Sequence, residues 1–143
     1  MKIEINNGGF RVDSNFIESA VKETFQRLQE LKKIITGQNV EISIAVISRE
    51  EIQEVNKKWR DKDEETDVLS FCYENTTEKL EGEVVLCLDV IKENAKQDGI
   101  KEEEELRKNV IHSILHIIGY EHGDEMFKLQ AEINNRLLAK SCS

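Results

Sequence analysis

Proline is absent from this 143-residue chain, so helices and turns must be delimited by glycine and by hydrophobic periodicity alone. No apolar run approaches the roughly eighteen residues of a membrane-spanning helix, which excludes that class of membrane protein and any membrane partner that depends on it. The opening Met1-Lys2-Ile3-Glu4-Ile5 lacks the charged n-region and apolar h-region of a signal peptide, and the expected location is cytoplasmic. Cysteine is scarce: three residues, odd in number and without CxxC spacing, do not make a disulfide framework. Cys72 and Cys87 sit in strand-like apolar runs and read as buried thiols; Cys142 lies in the C-terminal tail. A basic surplus is also missing. Twenty Lys and Arg against 29 Asp and Glu give a net charge of −9, which excludes a generic nucleic-acid binder with a broad basic footprint and leaves DNA an unexpected partner. Repeats, low-complexity segments and linkers are absent as well, so residues 1–143 read as one domain.

Histidine is rare too, but not scattered. All three occur in His112-Ser-Ile-Leu-His116-Ile-Ile-Gly119-Tyr-Glu-His122. Residues four apart on an α-helix differ by about 40° around its axis, so His112 and His116 share a face. Gly119 suits a left-handed C-cap, after which the chain can return His122 toward the other two. Two helical imidazoles and one from the following turn leave room for a further ligand, the usual arrangement of catalytic zinc. The bland alternative is a set of ordinary core or surface histidines. Against it, Leu106, Val110, Ile114 and Ile117 already form an apolar stripe, with Ile111, Leu115 and Ile118 beside it. The stripe of Asn109, His112 and His116 lies opposite, where the core does not need it.

Charge is unevenly placed. Lys57, Lys58, Arg60 and Lys62 cluster within six residues, a local positive site on an acidic protein. Glu102 to Glu105 form an acidic block in the first turn of the histidine helix, where the helix dipole favours negative charge.

Periodicity fills in the rest. Lys2 to Asn6 reads as a strand; Ser14 to Thr36 as an amphipathic helix capped by Asp13 or Ser14 and stopped at Gly37. Val40 to Ile47 alternates as a strand, and Ser48 can cap a helix over Arg49 to Lys58 that packs through Ile52, Val55 and Trp59. Residues 59–67 form a loop. Val68 to Tyr73 and Glu83 to Leu88 are strands joined closely enough to pair antiparallel, the second covered on both sides. Asp89 to Gln97 is a short helix ended by Gly99, Lys101 to Ile118 the histidine helix, and Glu125 to Ala139 a last helix with Met126, Leu129, Ile133 and Leu137 inward. The expected fold is α+β: one mixed sheet of about four strands packed by about five helices.

Three neutral imidazoles would leave a bound metal dipositive and able to activate water or polarise a carbonyl or phosphoryl oxygen. The spacing is also that of metzincin proteases, HExxHxxGxxH. There a general-base glutamate follows the first ligand; here Ser113 stands in its place and cannot do that work at neutral pH.

The histidine motif, taken with Trp59-Arg60-Asp61-Lys62-Asp63-x-x-Thr66-Asp67-Val68-Leu69-Ser70-Phe71 and Gly82-Glu83-Val84, resembles the YbeY family of bacterial metal-dependent endoribonucleases. The likeness runs over most of the chain. It implies that His112, His116 and His122 bind the metal, usually zinc, although imidazoles also suit nickel, cobalt or iron. It implies that Arg60 is the basic residue of the active cleft, whose guanidinium can present two parallel donors to phosphate oxygens. Asp67 and Ser70 would flank that cleft, or serve as cap and turn. The implied work is endonucleolytic maturation of ribosomal RNA at the small-subunit 3′ end and ribosome quality control, with ribosome-associated proteins as partners. The chain departs from the family pattern at Glu65 (usually proline), Ser113 (glycine), Glu121 (aspartate) and Gly82-Glu83-Val84 (Gly-Asp-Ile), none of them a ligand. A ribosome-assembly factor with a purely structural metal is the remaining alternative, and it requires Glu121 or Asp124 to close the coordination sphere.

Overall fold

The computed structural model describes residues 1–141, so Cys142 lies outside the described residues. The element order is β1 (Lys2–Asn6), α1 (Ser14–Glu30), β2 (Asn39–Val46), α2 (Arg49–Arg60), β3 (Val68–Asn75), β4 (Lys79–Leu86), α3 (Leu88–Asp98), α4 (Glu102–Ile118) and α5 (Asp124–Ser141). The four strands form one sheet in the order β1-β2-β4-β3. The first three are mutually parallel, and β3 runs antiparallel to β4 along the edge. Among the described residues this is the α+β architecture, with one mixed sheet and five helices, that periodicity predicts.

Alternation along the strands decides which helices lie on which face. Val40, Ile42 and Ile44 of β2 and Leu80, Val84 and Leu86 of β4 join α1, α4 and α5 in the main core. On the other face Leu69, Val85 and Cys87 pack with Ile52 of α2. Strand β4 is therefore covered on both sides, as its unbroken apolar run predicts. Helix α4 is the centre of the larger layer: Val110, Ile111, Ile114 and Leu115 are all fully buried. It can approach the sheet closely because Gly82 faces it. A Cβ on Gly82 would lie 2.7 Å from Ile117 Cγ2 and 3.0 Å from the Phe71 carbonyl oxygen.

Several boundaries differ from the periodic reading. Helix α1 stops six residues before Thr36, although Leu31 and Ile35 continue the apolar spacing. The Leu31, Lys32 and Lys33 amides turn back onto the Arg27, Gln29 and Leu28 carbonyls, with Lys32 in the left-handed region at φ 56°. The chain must leave the helix there to start β2, whose Asn39 amide bonds the Glu78 carbonyl. Leu88 belongs to α3 rather than to the preceding strand, and β3 and β4 extend toward each other until only residues 76–78 separate them.

Two burial expectations are corrected. Cys72 is exposed, because β3 is an edge strand, whereas Cys87 is a buried thiol. Trp59 does not pack inward: it is 61% exposed, and the buried polar residue of α2 is Asn56, at 3%. Asn56 holds the loop that follows. Its Nδ2 donates to the Glu64 carbonyl and its own carbonyl accepts from Lys62 N. Strand β3 also carries a bulge, with Tyr73 as the extra residue between the Cys72–Gly82 and Glu74–Glu81 pairs.

Candidate metal centre and its cleft

The three histidines come together at the C-terminal end of α4. His112 and His116 project from its last two turns, half-buried. Gly119 ends the helix at φ 114°, and its amide closes onto His116 and Leu115 carbonyls. The short segment before α5 then carries His122 back. The Nε2 atoms of His112 and His116 are 3.0 Å apart, and those of His116 and His122 are 3.2 Å apart.

The other ring nitrogens are already engaged. His112 Nδ1 donates to Gln130 Oε1 at 2.9 Å, and His116 Nδ1 donates to the Tyr120 carbonyl at 3.1 Å. A carbonyl oxygen can only accept, so these partners place the protons on Nδ1 and leave the Nε2 lone pairs pointing at one another. Three such lone pairs repel unless a cation lies between them. Zinc–nitrogen bonds of about 2.0–2.1 Å in a tetrahedron place ligand atoms about 3.3 Å apart, close to the observed spacing. The cluster could hold a metal ion. Burial, followed by its two histidine neighbours, pushes the His116 imidazole below its ordinary pKa, which keeps it in the neutral form that a metal requires.

Among the described residues the donor group consists of these three imidazoles, and neither Glu121 nor Asp124 belongs to it. Both are exposed. Ser113 is turned into the core, 1% exposed, and is not aimed at the site. Gln130 was not singled out by sequence, yet a signal existed: it is the polar residue next to Leu129 and between Met126 and Ile133 on the inward side of α5.

Arg60 reaches the same region from the opposite side of the sheet edge. Arg60, Ser70, Cys72, His116 and Ile117 line one cleft of about 350 Å³. Arg60 Nη2 donates to the Ser70 carbonyl at 2.6 Å, and the guanidinium lies 4.7 Å from the centre of the Phe71 ring. These contacts fix its plane while its other N–H groups are not committed to Ser70. Ser70 thus lines the cleft, whereas the Asp67 carboxylate accepts from Asn94 on α3 at 3.3 Å and belongs to the scaffold. The loop between Arg60 and Asp67 is tethered. Glu65 accepts from Arg49 at 2.8 Å, Asp63 accepts from Gln53 at 2.9 Å, and Arg49 also pairs with Glu93. Lys57, Lys58 and Lys62, neighbours of Arg60 in the sequence, are exposed.

The likeness read from the motifs extends over most of the chain. A profile described as Endoribonuclease YbeY matches residues 2–138. A Persephonella marina protein named Endoribonuclease YbeY is 37% identical over 131 residues, covering 85% of this chain and 84% of its own. Its Aquifex aeolicus namesake is 37% identical over 124 residues, covering 83% of each chain. A Staphylococcus saprophyticus namesake is 32% identical over 147 residues, covering 88% of this chain and 95% of its own. The solution structure of a Thermotoga maritima protein is similar, with a TM-score of 0.65 and 29% identity, covering 96% of this chain and 90% of that one. Arg60 and the three histidines fall inside the matched span, and the chain belongs to the YbeY endoribonuclease family.

Proposed function

We propose that this protein is a cytoplasmic, metal-dependent endoribonuclease acting on single-stranded regions of ribosomal RNA, in small-subunit 3′-end maturation and ribosome quality control. Family membership supports the RNA-cleaving part of this reading. The observation that carries it is the shared cleft, in which His116 of the donor cluster and the permanently charged Arg60 face the same space.

His112, His116 and His122 would hold the metal through Nε2, and zinc suits the spacing of those atoms. Once bound, such an ion supplies Lewis acidity toward a phosphoryl oxygen and water. Gln130 and the Tyr120 carbonyl fix the tautomer and ring orientation of the first two ligands. Arg60, held by Ser70 and Phe71, would bind the non-bridging oxygens and neutralise charge that develops there. Lys57, Lys58 and Lys62 add electrostatic attraction. The patch neutralises few phosphates, so the salt dependence of RNA binding should be shallow. Ribosome-associated proteins are the proposed partners.

A protease reading lacks its base, since Ser113 is buried. A structural metal lacks its fourth protein ligand among the described residues. The test compares wild type, His116→Ala and Arg60→Ala on ribosomal RNA and on casein, with metal content measured. His116→Ala should lose metal and RNA cleavage together, whereas Arg60→Ala should keep metal and lose cleavage. RNA cleavage at the wild-type rate by metal-free His116→Ala would sink the proposal. Casein cleavage that depends on His116 would replace it with proteolysis.

A further inference from the structure

Beyond Arg60, on the face of the sheet away from α4, lies a second concavity of about 310 Å³. Trp59, Phe71, Tyr73 and Glu83 line it over an apolar floor that includes Val55 and Val85. Trp59 is 61% and Tyr73 60% exposed, a large aromatic area to leave in water. The Phe71 and Tyr73 rings are parallel to within 6°, with centroids 6.4 Å apart. The groove is not purely apolar: Tyr73 donates its hydroxyl to Glu83 Oε1 at 2.6 Å. That bond, with burial adding to it, pushes the phenol up to about 12, so Tyr73 stays a donor and fixes the carboxylate. Each carboxylate oxygen has two acceptor positions, and the bond to Tyr73 uses one of the four.

Arg60 relates this groove to the cleft, which it lines. Phe71 forms one wall of the groove and also lies beneath the Arg60 guanidinium. Lys58 Nζ lies 5.1 Å from the Trp59 ring, so positive charge borders the aromatic surface. Flat apolar rings beside cations suit a planar, anionic ligand, and an extended polynucleotide has that character at every residue. A strand crossing the β3 edge would have a base on one side of Arg60 and the histidine cluster on the other.

We propose that this groove is a nucleobase subsite selective for guanine, stacked on Trp59 and Tyr73, with its N1–H and N2–H donated to the Glu83 carboxylate and its phosphate toward Arg60. The chemistry of the base edges decides the selectivity. Guanine alone presents two adjacent donors on its Watson–Crick edge. Adenine and cytosine set one amino donor beside a ring-nitrogen lone pair, and uracil sets one N–H between two carbonyl oxygens. Each of those three meets a carboxylate with at least one repulsive contact. The proposal rests on the RNA-cleaving reading for its use, but its physical test does not need cleavage.

Trp59 is the chain's one tryptophan, so its fluorescence reports on this groove directly. The full chain is titrated with GMP, AMP, CMP and UMP. GMP should quench saturably and bind about tenfold or more tightly than the others, the range of one good bidentate base contact. Glu83→Gln should remove that preference. Tyr73→Ala should weaken all four by about tenfold through lost stacking, whereas Tyr73→Phe should keep the stacking. Equal binding of the four nucleotides, or a guanine preference that survives in Glu83→Gln, overturns the base assignment. Quenching by none of them overturns the subsite and leaves the groove to a protein partner. Ribosomal RNA cleavage is followed in parallel. His116-dependent cleavage without quenching sinks the subsite alone, whereas guanine-selective quenching without cleavage sinks the nuclease reading and leaves a nucleotide site.

Discussion

His116 donates its Nδ1 hydrogen to the carbonyl of Tyr120, a residue that lies beyond the left-handed Gly119. One turn of backbone thus both ends α4 and orients the ligand four residues earlier. The geometry depends on φ 114° at Gly119, a conformation that residues with a Cβ rarely adopt, although the space around it is open. Gly119→Ala should therefore act through backbone strain alone, costing about 1–2 kcal/mol in denaturant melts. Metal affinity should fall with it, because Tyr120 and His122 follow the turn. Gly123→Ala, also in open space and with no positive φ, should do neither. Equal effects of the two variants would show that the turn does not set the site.

Gln130 tests the neighbouring ligand without removing it. Losing the partner of His112 Nδ1 should free the ring and its tautomer while all three Nε2 donors remain. Chelator competition on Gln130→Ala should give a metal affinity about 10–100-fold weaker than wild type. Gln130→Glu keeps an acceptor and should retain most of that affinity.

Gly82 links the Gly82-Glu83-Val84 strand to the metal centre by contact with Ile117, the residue after His116. A methyl group there must displace α4 or distort β4. Gly82→Ala should destabilise the fold by about 1–3 kcal/mol. Part of that loss should return in the Gly82→Ala, Ile117→Ala double variant relative to Ile117→Ala alone, and a double-mutant cycle reads the coupling. Strict additivity would contradict the packing described.

Glu30 fastens α1 to α5. It accepts from Arg136 Nη1 and Nη2, both at 3.1 Å, and from Arg27 at 3.0 Å. The Arg136 bonds, then the Arg27 bond, hold its carboxyl down at about 2. A carboxyl lowered on folding contributes stability that is complete above its ordinary pKa of about 4.5 and is lost as pH falls toward about 2. The melting temperature of wild type should drop across that window more steeply than that of Glu30→Gln. Parallel curves would exclude this clamp as a source of acid sensitivity.

Periodic and capping signals were the most legible part of the sequence. Ser48 forms the full capping box with Glu51, Gly99 and Gly119 close their helices, and the α5 stripe is buried throughout. The convergence of the three histidines was also readable, because ligand spacing on a helix with a glycine stop is a local property. What sequence did not convey was which faces are left uncovered. Trp59 continues the apolar spacing of α2 but borders an open groove over the sheet and stays 61% exposed, and Cys72 alternates correctly on a strand that has no neighbour beyond it. Gln130 and Gly82 matter through contacts with distant residues, which no local pattern encodes.

The bulge at Tyr73 has a consequence for self-association. An edge strand offers unpaired amides and carbonyls to any other chain, and a regular β3 would be eight residues of such template. The bulge interrupts its repeat, and Arg60 already occupies the Ser70 carbonyl. At the other margin β1 is five residues long and carries the exposed Lys2 and Glu4. Neither border of the sheet is a good seed for cross-β stacking, so the protein can keep an open edge beside its cleft without recruiting copies of itself there.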